Sequence, residues 1–281
     1  MKSVWLLVSG ILLFSFPMNS IAGGPWAKEK GETFIFGFGH HIGAAFYADN
    51  NANIFETTQT LSVSGLHLYG EYGLGKQWEI GGHMPLLQFA NGIEDNSTLT
   101  GFSGNATGNG DLDIYLKKQL NSGSISSSIS VLFGIPLGNS NAGSNKDIML
   151  GDGEFNQMLK VDFGGAFNEH VYWIVFAGFN NRNSGFSDEL HFGGEIGYNG
   201  DKWLAALKCY SLNSMENGTE PAPFYPGIYA NNLEYFAIGP TIMRKWNNSG
   251  LIIDIGLAPY LRNIIAAPSF SVGYSIQLGK S

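Results

Sequence analysis

Six histidines, at positions 40, 41, 67, 83, 170 and 191, are the first candidates for chemistry in this chain. No H-x-x-x-H or H-E-x-x-H pair occurs among them, and His40 and His41 are adjacent and so point to opposite faces of any strand. A metal site from His67, His83 and His191 would need convergence across the fold that spacing cannot supply, so no metal and no cofactor is expected. GNGDLDIYLKKQL (108–120) opens like a phosphate loop but lacks the x-x-G-K-[ST] ending, and alternation rather than a helical period follows it. It also lacks the acidic ladder ending in Glu of a calcium loop. GFGHHIG (37–43) has the wrong spacing for a dinucleotide fingerprint and no βαβ surroundings. An outer-membrane lipid hydrolase would need Ser, His and an orienting Asn or Asp together on one surface. Serines and asparagines abound, yet no local signature marks such a triad, and the chain is read as not an enzyme.

What remains is a set of isolated charges, and the elements that carry them explain their spacing. In residues 111–120, Leu112, Ile114, Leu116 and Leu120 are even-numbered, while Asp111, Asp113, Lys117 and Gln119 are odd. FSVGYSIQL (270–278), FNQMLKVDF (155–163), ELHFGGEIGY (189–198) and ISSSISVLF (125–133) alternate in the same way. A period of two is the mark of a strand with one apolar face. Short turn segments, GLGKQ (73–77), NSG (121–123), NEH (168–170), NGDK (199–202) and NNSG (247–250), take turns with longer polar ones at 49–60, 91–108, 139–153 and 213–232. About twelve strands are predicted, near 32–47, 59–74, 77–90, 110–120, 124–137, 154–166, 170–181, 188–198, 202–212, 232–245, 250–262 and 268–279.

Composition points the same way. The chain has 39 glycines in 281 residues, about twice the usual ~7%. Aromatic residues make up 14% and charged residues only 14%, against a usual ~25%. This fits a β-rich chain with small residues inside and rings outside. The formal charge of −8 and the lack of basic patches argue against nucleic acid. Residues 1–22 read as a signal peptide, with Lys2 ahead of an apolar run from Val4 to Phe16 and small residues at Ser20-Ile21-Ala22. Residues 23–281 then form one domain. An exported chain with Cys209 as its one cysteine has no internal disulfide framework.

A soluble sandwich and a membrane barrel both alternate. The export signal, the rotation of short and long connections, and a second face of Gly, Ser and scattered charge favour a transmembrane antiparallel up-and-down β-barrel in the bacterial outer membrane. Leu278 is followed by Gly279-Lys280-Ser281 rather than ending on the aromatic residue common to such barrels. Parity then assigns His67, Glu71, Glu79, His83, Asp111, Asp113, Lys117, Lys160, Asp162, Glu189, His191 and Glu195 to the lumen. There they either pair across strands and fill a narrow barrel, or form a polar constriction that selects solutes. Two segments are candidates for gates: GGPWAKEKGE (23–32), entering from the periplasmic side, and residues 213–232, whose PFYPGIY stretch could cap the outer mouth.

Three stretches carry a resemblance. GNGDLDIYLKKQL, GIPLG (134–138) and GDGEFNQMLKVDFG (151–164) resemble segments of outer-membrane barrels in the phenol-degradation MetA-pathway group, and GGPWAKEKGE is similar to their N-termini. The likeness places Gly110, Asp111, Asp152 and Glu154 in the group's motif without giving them a chemical role. It implies uptake of hydrophobic or aromatic compounds. Together these readings predict an outer-membrane channel for passive uptake of small solutes, hydrophobic or aromatic compounds among them. The alternative is a structural or surface-exposed barrel with a filled lumen. Expected partners are outer-membrane lipid, the solute, and the barrel-assembly machinery.

Overall fold

In SFSVGYSIQL, Phe270, Tyr274 and Leu278 are exposed while Ser269, Ser271 and Ser275 are buried. In water this arrangement is inside out. It is stable only where the outer face meets hydrocarbon and every backbone polar group is paired within the protein. The computed structural model describes residues 24–91, 105–143, 148–220, 228–229 and 231–279. The predicted signal peptide lies outside the described residues.

The strands are β1 (Thr33–Ala48), β2 (Ile54–Gly75), β3 (Trp78–Asn91), β4 (Asn105–Gly108), β5 (Leu112–Ser122), β6 (Ile125–Ile135), β7 (Asn156–Ala166), β8 (Val171–Asn181), β9 (Glu189–Asn199), β10 (Trp203–Ser214), β11 (Glu234–Trp246), β12 (Ser249–Arg262), β13 (Ile264–Ile265) and β14 (Ser269–Leu278). Each barrel strand runs antiparallel to its neighbours, and β1 pairs with both β2 and β14, from Thr33↔Leu278 to Ile42↔Ser269. The sheet therefore closes on itself and leaves no edge. With β4 and β5 forming one interrupted stave and β13 extending the pairing of β1, the barrel has twelve staves, all antiparallel and with no helix among the described residues. The tight turns share one rim with the start of β1 and the end of β14, where Thr33 pairs with Leu278. At the β2–β3 turn, Lys76 and Gln77 both take positive φ, as a two-residue hairpin matched to strand twist requires.

Four expectations need correction. β2 begins at Ile54, not near residue 59, because Ile54–Glu56 pair with Phe46–Ala48 of β1, so the connection before it is short. The GNGD stretch is a break inside a stave rather than a clean loop exit. Gly110 donates its N–H to Pro85 O at 2.9 Å, and a Cβ on Gly110 would lie 2.5 Å from Gln88 Nε2 and 2.7 Å from Pro85 Cγ. Rings are not confined to the outside: Phe34, Phe36 and Tyr69 are buried within the barrel, packed with Ile252. Nor is the interior wet throughout. Toward the outer rim Ile42, Leu61, Leu150, Leu233, Ile264 and Ile265 form an apolar core, because residues 136–143, 148–155, 228–229, 231–233 and 263–268 fold inward.

Candidate functional site

At the periplasmic rim, residues 24–32 cross the lumen beneath β2, β3 and β5. Gly31 and Gly73 exchange backbone hydrogen bonds with Gly73 and Glu32 at 2.9 Å. The approach is so close that a Cβ on Gly73 would sit 1.8 Å from Glu29 O. Lys28 Nζ meets Glu71 at 3.1 Å, and its backbone N–H donates to Glu79 Oε2 at 2.9 Å. Lys117 Nζ pairs with Glu79 Oε1 at 2.7 Å and donates to Gly24 O and Trp26 O at 3.1 and 3.3 Å. Ala27 N donates to Gln119 Oε1 at 2.9 Å. Tyr69 and Tyr115 hydroxyls reach Glu71 Oε1 at 2.6 and 3.2 Å. The far end of the segment abuts β7 and β8, where a Cβ on Gly164 would lie 3.0 Å from Pro25 Cγ. The segment forms a floor, and two carboxylates face two ammonium groups in it.

Above this floor lie two neighbouring chambers of about 110 and about 260 Å³. The inner chamber holds the Lys160–Asp162 pair at 2.9 Å, with Lys160 over the Phe176 ring. The outer chamber is lined by Phe38, His67, Asn180, Arg182, Glu189 and Tyr229. His83, Asp113, Leu132, Met158, His191 and Tyr210 border both and mark a waist. His67 Nδ1 lies 3.0 Å from His83 Nε2, and His191 bonds both Glu189 Oε2, at 3.0 Å, and the Tyr210 hydroxyl. Glu195 accepts from the Tyr172 hydroxyl. Among the described residues no three His, Cys, Asp or Glu side chains are arranged to hold a metal.

The outer mouth is organised by Arg182, which sequence parity could not reach because it follows the end of β8. Its guanidinium contacts Asp152 at 3.3 Å, Glu189 at 2.5 Å and Glu154. Asp111 accepts backbone N–H groups of Gly138 and Asp152 at 2.8 and 2.9 Å, which ties the 136–155 connection to the wall. Burial and the neighbouring Asp152 push Asp111 up to about 7. Burial likewise pushes Glu154 up to about 7, against the opposing pull of Arg182. The predicted cap at 213–232 lies partly outside the described residues. Within them, Tyr229 donates to Gln88 Oε1 at 3.0 Å and Ile228 packs on the apolar core. The parity reading also missed the Lys208–Asp254 pair at 2.9 Å, to which Thr241 adds a hydrogen bond. The signal was present as one charge in each of two apolar strands, LAALKCY and LIIDIGL.

No family model and no curated protein matches the chain. Among solved structures it is similar to the COG4313 outer membrane channel from Pseudomonas putida F1. That match is 15% identical, covers 91% of this chain and 98% of that one, and has a TM-score of 0.65. It is also similar to the NanC porin, at 7% identity, covering 87% and 100% of the two chains, with a TM-score of 0.53. At these identities the likeness speaks for the fold, a closed barrel of the bacterial outer membrane.

Proposed function

We propose that the chain is an outer-membrane channel for passive uptake of small solutes, hydrophobic or aromatic ones among them, and that residues 24–32 close its periplasmic end at rest. We also propose that it belongs with the MetA-pathway group, on the residues Gly110, Asp111, Asp152 and Glu154. The observation that carries the channel reading is the pair of neighbouring chambers that share a wall, lined by both rings and charges and separated from the periplasm by a segment that belongs to no strand. That the fold's likenesses are described as a channel and a porin supports it. A floor held by hydrogen bonds and ion pairs can leave without breaking the barrel, whereas a strand cannot.

The competing reading, a barrel with a filled lumen, draws on the apolar core at the outer end. Planar-bilayer recording and cellular uptake separate the two. Deleting residues 24–30 is expected to raise single-channel conductance severalfold with the barrel still folded. Cells carrying the full chain should take up benzyl alcohol faster than cells without it. Unchanged conductance and unchanged uptake would establish the filled-lumen barrel instead.

A further inference from the structure

Nearly every charge inside the barrel is answered by an opposite one. Glu71 meets Lys28, Glu79 meets Lys117, Asp162 meets Lys160, Asp254 meets Lys208, and Asp152, Glu154 and Glu189 share Arg182. Asp111 is held by two backbone N–H groups. Asp113 differs from all of these. Among the described residues its one ionic neighbour is His83, at 3.8 Å, which is too long for a hydrogen bond. Its side chain is 34% exposed inside the lumen, while the ion-paired carboxylates just named range from 0 to 12%. It also stands at the waist, bordering both chambers. The neighbouring stave leaves it room: Gly134 is paired with Asp113, and a Cβ there would come within 3.3 Å of Asp113 Oδ1.

A second acceptor faces the same space. Asn180 is only 7% exposed and lines the outer chamber. Its amide nitrogen donates to Asn156 Oδ1 at 2.9 Å and Glu189 Oε2 at 3.1 Å, so its donors are in use. Its Oδ1 is buried with no hydrogen-bond partner among the described residues. A buried acceptor without a donor is costly unless something supplies one. Beside these acceptors the wall carries rings. Phe38 and His67 stack at 4.9 Å, His67 and His83 at 5.2 Å, and Tyr210 and Tyr235 at 5.6 Å, with interplanar angles of 20°, 13° and 21°. Phe and Tyr ring faces can take a neighbouring cation as well as an apolar body.

We infer that the lumen selects solutes carrying a protonated amine on an apolar or aromatic body, and that Asp113 is the group that receives the ammonium. Asn180 Oδ1 stands as a further acceptor just behind the wall of the outer chamber. The inference rests on the channel reading and adds charge preference to it. A carboxylate solute would meet an uncompensated negative charge at the waist, and a neutral one would leave Asp113 without a partner.

Three probes with one body and three charges test this: benzylamine, benzyl alcohol and benzoate, titrated calorimetrically at pH 7 against the full-length protein in detergent. Benzylamine is expected to bind tighter than either of the others by about tenfold or more, the return on one charge-assisted hydrogen bond. Asp113→Asn, or Asp113→Ser should the first not fold, should remove that preference while leaving benzyl alcohol unchanged. Equal binding of all three probes overturns the inference and leaves the channel reading standing. An amine preference that survives in a folded Asp113 variant overturns the assignment to Asp113. Failure of all three to bind, with no uptake of benzyl alcohol by cells, overturns the channel reading itself.

Discussion

At the scale of single residues, the floor of the lumen turns on two buried charges. Lys117 is 2% exposed and Glu79 is fully buried, with 2.7 Å between their charged atoms. A buried pair adds little net stability, because both groups lose their hydration, but removing one partner strands the other. Lys117→Met should therefore lower folding free energy by about 3–5 kcal/mol, read as a lower urea midpoint in vesicles. The double variant Lys117→Met/Glu79→Gln should recover most of that loss. A single-variant cost below about 1 kcal/mol would mean that Glu79 is hydrated rather than sealed by the floor. The sequence showed that Lys117 and Glu79 share the inward face, since strand parity depends only on numbering within each strand. It could not show that they touch. Their contact follows from the β3–β5 register, Glu79↔Lys117, which neither strand encodes alone. Lys28 was still less legible, because it lies in a segment with no period and finds Glu71 only once the barrel has closed.

At the scale of elements, the strands were readable because lipid on one side and protein on the other impose strict alternation. Where that constraint lapses, so does legibility. β2 extends back to Ile54, and residues 136–143 and 148–155 of the β6–β7 connection turn inward with no period to announce it. This connection is fastened by Asp111 to Gly138 and Asp152, by Gln88 Nε2 to Leu150 O at 2.7 Å, and by Glu154 to Arg182. Asp111 and Glu154 are both raised to about 7. A carboxyl group whose pKa is raised in the docked state favours docking fully below its ordinary value of about 4 and loses that contribution as pH rises through about 7. The connection should thus loosen toward alkaline pH. In the variant lacking residues 24–30, where the floor no longer limits current, conductance is expected to rise between pH 5 and 8, and Asp111→Asn should flatten that rise. A conductance that falls over the same interval would contradict the sign of the coupling.

At the scale of the whole molecule, the barrel reverses the soluble pattern: ion pairs and hydrogen bonds inside, aliphatic and aromatic side chains outside. Leu116, Val131 and Leu159 lie side by side on β5, β6 and β7 in register, and all three are exposed. Closure gives this surface no partner in the protein, so its complement must be the bilayer. Near the periplasmic rim Lys118 folds over Trp78 and donates to Lys76 O at 2.6 Å, keeping its ammonium at the interface. The cost of a charge on this face should therefore depend on depth, and one strand suffices to test it. In β6, Ile125 stands beside the periplasmic turn and Val131 near mid-strand, both on the outer face. Val131→Arg should destabilise the folded barrel in vesicles by about 2–4 kcal/mol, and Ile125→Arg by no more than about 1 kcal/mol. Lumen residues at the same depth should not follow this rule, because their surroundings are protein and water. Equal costs at the two outer positions would mean that the apolar face is covered by protein rather than hydrocarbon. The parity that assigns Asp113 to the lumen would then lose its physical basis.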